Sequence, residues 1–346
     1  MKKIDFFSKN FTFTFGGKQK ISTRFGGFIT IIIILIVCVF IFLLGEEILY
    51  KDNPREITTI NLIPHSKNFT FQIPIAYLVV DSTSSKIENF EKFIRIDAYY
   101  RNLENTIGIF TDTELSENLK IKFCNKDEFP EQLHYQYDLM SLDDALCLEN
   151  SHKMLGGYFS GSYSKYLNTS IVPCYNSTDY PFQCETEENI LKFLERKDIA
   201  ISFHFQSLEY DAKRHDDPIN SFIKEDNYRM DPFNCKLYEY FIQEFLITTD
   251  DGIFGNTYWD KIYYEFTDIK FDSFFQENWK NKKHEEHCLW QFNYFNSNKS
   301  KISIRKYLKG TEVAAQIGGI LKIIIIIAEF ISFKIYQNKI DEKIAF

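Results

Sequence analysis

The chain has 346 residues, 45% of them hydrophobic and 25% charged, and its formal net charge is −8. An acidic balance of that size removes nucleic acid from the partner classes, because phosphate backbones demand a basic footprint. Two apolar stretches, one near either end, also exclude a cytosolic enzyme with one continuous polar surface.

Residues 1–25 form a basic head, in which Lys2, Lys3, Lys9, Lys18, Lys20 and Arg24 are opposed by Asp5 alone. From Gly26 to Gly45 there is no charged residue. About 20 apolar residues cross a bilayer's hydrocarbon as a helix, so 26–45 is predicted as a transmembrane helix. The head's charge places it in the cytosol by the positive-inside rule. A cleaved signal peptide has an apolar region of roughly 7–15 residues ending at small residues. Here the run is longer and ends Leu43-Leu44-Gly45-Glu46-Glu47, which favours a retained anchor.

Residues 46–312 are predicted as one large, mainly β lumenal or extracellular domain built from two sheets. Phe69, Phe71, Ile73, Ile75, Tyr77 and Val79 alternate with other residues, as a strand with one buried face does, and Pro74 points to an edge position. Similar alternation marks Leu119-Ile121-Phe123 and Ile199 to Phe205. Thr186 is a plausible cap for a single helix over Glu187–Lys197, where Ile190, Leu191, Phe193 and Leu194 keep helical spacing. The polar stretch Tyr210 to Asp231 reads as a long loop. Leu237–Thr249 and Tyr258–Phe271 read as a hairpin around Asp250-Asp251-Gly252 and Gly255-Asn256. The chain's 35 phenylalanines are read chiefly as core.

Of the seven cysteines, Cys38 falls in the first span. The others (Cys124, Cys147, Cys174, Cys184, Cys235 and Cys288) all lie in the middle domain. An even set in an oxidising compartment implies three disulfides, with fifteen possible pairings. Glycosylation sequons at Asn68, Asn168, Asn176 and Asn298 support the same side of the membrane. A further sequon at Asn10 lies in the cytosolic head and should stay unmodified.

Catalytic signatures are weak. His284-Glu285-Glu286-His287-Cys288 offers possible zinc ligands, but its histidines are three apart rather than four, and Cys288 completes the cysteine pairs. Gly156 to Ser162 lacks the G-x-S-x-G spacing of a nucleophile elbow. Asp143-Asp144 and Asp216-Asp217 lack the ladder of oxygen ligands that a hard cation needs. The expectation is a protein with no catalytic residues, no metal and no cofactor.

Residues 313–333 are predicted as a second transmembrane helix, returning the chain to a cytosolic tail over 334–346. The tail is nearly neutral, so the acidic charge resides between the spans. Lys322 and Glu329 lie two turns apart inside this helix, and intramembrane ions tend to pair, face a bundle interior or line a water path. A pore, a specific helix–helix contact and snorkelling of Glu329 to the interface are the readings open to them. Gly26-Gly27 and Gly318-Gly319 allow close helix approach.

Around these glycines the chain resembles the ERGIC/Erv family, whose members handle cargo between endoplasmic reticulum and Golgi. Thr23, Gly26, Gly27 and Thr30 match its first-span pattern, preceded by Asp5, Phe6, Phe7 and Lys9 in the head. Glu47 and Tyr50 match its E-x-x-Y beyond the membrane, and Ile317, Gly318 and Gly319 match its second span. The departures are Ser22 before Thr23, no CxxC in the middle domain and no K-K-x-x at the tail. The resemblance implies an integral protein of the early secretory pathway, with both termini cytosolic. It would bind cargo or partner membrane proteins, in a homo- or hetero-oligomer, during vesicle transport. The alternatives are a trimeric two-span ligand-gated ion channel and a surface or adhesion protein, both at the plasma membrane.

Overall fold

The computed structural model describes residues 9–344 apart from 16–17, 22–23, 52, 64–67, 72–73, 107–108, 114–115, 150–152, 159–160 and 277–286. The head carries a hairpin of β1 (Lys9–Phe15) and β2 (Lys18–Ile21) before helix α1 (Arg24–Tyr50). Then follow β3 (Arg55–Leu62), β4 (Phe69–Phe71), β5 (Ile75–Val80), β6 (Ile94–Thr106), β7 (Ile109–Asp112), β8 (Glu117–Leu119) and β9 (Ile121–Phe123). A short helix α2 (His134–Leu139) leads to β10 (Leu146–Leu148), β11 (Lys153–Gly157) and β12 (Tyr163–Pro173). Helix α3 (Glu187–Leu194) precedes β13 (Ala200–Tyr210), β14 (Ile219–Arg229), β15 (Asn234–Asp250), β16 (Tyr258–Phe275) and β17 (Trp290–Lys306). The last element is α4 (Gly310–Ile344).

The smaller sheet has the order β14-β13-β5-β10-β9. The larger has a spine of β16-β15-β17-β12-β11-β4, with β3 beside β17 and β6 beside β12. β15 and β17 run parallel, and each covers 17 residues, roughly 55 Å of strand. The first part of β17 pairs with β12, and its last eight residues pair with β3. The same long strands therefore reach from the core to the two apolar helices.

Alternation explains the core. Tyr77 and Phe203 of the smaller sheet meet Tyr240, Phe292 and Tyr294 of the larger, and all five are buried. Phe203 stacks on Phe292 with ring centres 5.5 Å apart, and Tyr240 on Tyr294 at 5.7 Å. The phenol of Tyr77 lies 2.7 Å from the Thr169 hydroxyl and 2.6 Å from that of Tyr294, so these buried oxygens satisfy one another. Burial raises the Tyr77 and Tyr294 pKa values well above the phenol range. Phe203, Phe205, Phe245 and Phe292 of these strands are buried, as alternation implied, whereas Phe241 and Phe295 are only half-buried.

Two apolar helices at the chain ends flank a two-sheet β domain containing three disulfides. Several details differ from the sequence reading. The stretch expected as a loop over Tyr210–Asp231 contains β14, which pairs with β13 along its whole length. Ile219, Ser221 and Ile223 alternate inward there, while a polar outer face hides the pattern. Phe69 to Val79 is not one strand: β4 belongs to the larger sheet and β5 to the smaller. Pro74 precedes β5, whose position is central and whose residues are all buried, so no ladder donor is lost. Leu119 and Ile121 likewise end one strand and begin another, in different sheets. Thr186 occupies the cap position of α3, but its hydroxyl makes no capping bond.

Candidate functional site at the junction of the β domain with the apolar helices

Side chains from four separated segments converge where the long strands meet the apolar helices. Arg305, near the end of β17, points inward with Ser303 and is fully buried. Its Nε donates to Thr249 Oγ1 of β15 at 2.7 Å. Its Nη atoms donate to the carbonyls of Arg214 at 2.5 Å, His215 at 2.6 Å and Ala212 at 3.3 Å. The guanidinium also lies 5.1 Å from the Trp259 ring centre, a cation–π distance. One rigid fork thereby fixes the loop between β13 and β14.

That loop presents His215. Its Nε2 is 3.0 Å from Asp251 Oδ1, and its Nδ1 is 2.8 Å from Asp216 Oδ1. Asp251 also pairs with Lys51, the residue just beyond α1. Lys51 has φ of 55° and donates its backbone N–H to Glu47 at 3.0 Å, closing the helix in a left-handed cap. On the other side Lys309 pairs with buried Asp250 at 2.8 Å. Gly310, the first residue of α4, donates to the Ile253 carbonyl at 2.8 Å. A Cβ at Gly310 would stand 3.0 Å from the Phe254 ring, so the small residue lets the loop sit close.

The loop between β15 and β16 thus holds the exit of α1 through Asp251 and the entry of α4 through Asp250 and Ile253. Burial pushes the Asp251 carboxyl pKa up, but Lys51 and His215 outweigh it and hold the group below its ordinary value. For Asp250, too, burial raises the pKa, and Lys309 with the Thr257 and Gly252 amides overcomes it. Both carboxylates stay charged at neutral pH.

The predicted site residues fall elsewhere. Gly27 and Thr30 are buried on α1, Gly26 lies in the same helix, and Thr23 is outside the described residues. Glu47 and Tyr50 are at the end of α1, with Tyr50 exposed. On α4, Ile317 is half-buried, while Gly318, Gly319, Lys322 and Glu329 are exposed. The cysteines pair as Cys124–Cys147, Cys174–Cys184 and Cys235–Cys288. Cys288 is therefore in a disulfide, His287 contacts the Pro232 carbonyl, and His284 lies outside the described residues. Asn68, Asn176 and Asn298 are exposed, whereas Asn168 is half-buried and donates to Asn293 Oδ1 at 2.5 Å. Arg305, His215, Asp251 and Lys51 went unread because they meet only in the fold. The inward parity of Ser303 and Arg305 in an alternating strand was the available signal.

Two further surfaces stand out on the larger sheet. β16 is its outermost strand, and among the described residues no strand pairs with its outer edge. Ile262, Ile269, Phe271, Phe274 and Phe275 on β16 are all exposed. On the face turned away from the aromatic core, a groove of about 880 Å³ runs past Tyr158, Phe241, Phe295, Asp268 and Lys270.

A family described as the uncharacterised 80 kDa protein N-terminal domain matches residues 70–297. No curated protein matches the chain. Among solved structures, that of a proton-activated chloride channel is similar at 12% identity and a TM-score of 0.30, over 89% of this chain and 98% of that one. The crystal structure of Erv41p is similar at 10% identity and a TM-score of 0.25, over 72% of this chain and 99% of that one.

Proposed function

The chain belongs to the family of the uncharacterised 80 kDa protein N-terminal domain, and we propose that it is a two-span membrane protein of the early secretory pathway. In this reading it is a binding protein, not an enzyme, and it holds a cargo or partner protein during transport between endoplasmic reticulum and Golgi. The free edge of β16 carries the proposal. A long, unpaired and apolar edge is a standing template for another chain, and soluble domains ordinarily blunt such edges. Ile269 and Phe271 lie on it, exposed beside the acidic and basic side chains of Asp268 and Lys270. The compartment rests on Gly26, Gly27, Thr30, Glu47 and Tyr50, which carry the resemblance to the ERGIC/Erv family.

A tagged full-length chain should locate to reticulum and Golgi and keep glycans that endoglycosidase H removes. Ile269→Lys with Phe271→Lys should lower recovery of its cross-linked partners at unchanged expression. Complex glycans and residence at the plasma membrane would refute the compartment. Unchanged partner recovery would refute the role of β16.

A channel reading requires polar groups along a water path. On α4, exposed Ile326 stands between Lys322 and Glu329, which suits a packed helix better than a wet lumen.

A further inference from the structure

α1 packs against α4, and among the described residues those of α4 that are buried are Val313, Ala328 and Ser332. An α-helix turns about 100° per residue, which places those three on one stripe. Lys322 and Glu329 fall roughly 110° around the helix from it. Ala315, Gly318 and Ile326 lie on the same side as the two charges, and all three are exposed.

Lys322 is also deep. It comes about 18 Å along α4 from Gly310, near the middle of the apolar stretch Gly310–Ile335. Among the described residues neither Lys322 nor Glu329 has an ion-pair partner. The chain supplies none at that depth: from Gly26 to Gly45 there is no charged residue, and Glu329 is about 10 Å further along α4. A second copy in the same membrane orientation would set Lys322 against Lys322. Like charges in hydrocarbon repel, so this face disfavours its own copy unless water fills the gap.

We infer that this face of α4 docks a transmembrane helix of another protein, one with an acidic side chain level with Lys322 and a basic one level with Glu329. The small residues Gly318 and Ala315, one and two turns nearer the lumenal end, let that helix approach closely. The inference rests on the two-span reading and identifies the kind of partner that reading leaves open.

The test uses the full-length chain carrying Cys38→Ser, co-expressed with single-span leucine helices of α4 orientation. One helix has Asp at the depth of Lys322 and Lys two turns on, a second has these exchanged, and a third is all leucine. The Asp–Lys helix should co-purify about five- to thirtyfold above the all-leucine helix, the gain expected of a polar contact between membrane helices. Lys322→Glu with Glu329→Lys should transfer that preference to the exchanged helix. Equal recovery of the three helices overturns the inference. So does disulfide cross-linking of Lys322→Cys copies to one another, or their labelling by a membrane-impermeant thiol reagent, since these mean a self-contact or a water path. Release of the chain by alkaline carbonate would instead overturn the two-span reading. Plasma-membrane residence with the helix preference intact would overturn only the transport role.

Discussion

Arg305→Met tests whether one buried guanidinium holds the junction together. The substitution keeps most of the aliphatic stem and removes four hydrogen bonds, one to Thr249 and three to carbonyls of the 211–217 loop. Bonds from a charged donor contribute about 1.5–3 kcal/mol each, but burying the guanidinium costs several kcal/mol in return. Ala212 and His215 are only half-buried, so water can replace part of what their carbonyls lose. The net loss should be about 2–4 kcal/mol, or roughly 5–12 °C in the unfolding midpoint of a domain this size. Arg305→Lys should recover less than half, since an ammonium lacks the planar fork. Hydrogen exchange in detergent should rise first over residues 211–217 and 250–257, with β6 and β12 unchanged. Unaltered protection of both loops at an unaltered midpoint would refute the role assigned to Arg305.

Three other outcomes follow from the structure. Asp250 and Asp251 have folded-state pKa values below the ordinary one, so their stabilisation is complete above about pH 4 and is lost as pH falls through the folded values. Cleavage in the 250–257 loop by an acid-active protease should therefore begin only below about pH 4, and Asp251→Asn should admit cleavage there by a neutral protease at about pH 7. A glycan on Asn168 would obstruct the pairing of β12 with β17, so Asn168→Gln should leave the glycan content of the folded protein unchanged. Asn68→Gln, Asn176→Gln and Asn298→Gln should each remove one glycan in mass spectrometry. Replacing Cys235 and Cys288 by alanine opens a loop with a sequence separation of 53. Loop-closure entropy predicts a loss of about 4 kcal/mol, readable as a lower denaturation midpoint without reductant.

The first helix was legible because charge is absent from Gly26 to Gly45, a length only a bilayer or a deep core requires, and the second because only Lys322 and Glu329 bring charge into its apolar run. The hairpin of β15 and β16 was legible from Gly252, Gly255 and Asn256 between two alternating runs. β14 was missed because it is a sheet edge, with Glu225, Asn227 and Arg229 exposed. Cysteine number announced three bridges, yet the partners of Cys235 and Cys288 depend on how β15 and β17 align. The junction was the least legible part. Lys51, His215, Asp251 and Arg305 are each ordinary where they stand, and their meaning comes from a register that spans most of the chain.

The pairing of β3 with β17 also governs the order of assembly. Arg55 lies opposite Lys306 and Leu62 opposite Lys299, so β3 finds its neighbour only when nearly the whole domain has been made. At about 5–20 residues per second, the wait after β3 emerges lasts tens of seconds. Throughout that interval Ile57 and Ile60 belong to an unclaimed strand tethered directly after α1. The domain is closed last by the very residues that lead into α4. Ribosome-stalled chains ending before Trp290 should accordingly leave β3 open to protease and bound by chaperones, and chains extended past Lys306 should shed both. Protection of β3 in the shorter chains would show that it docks without β17.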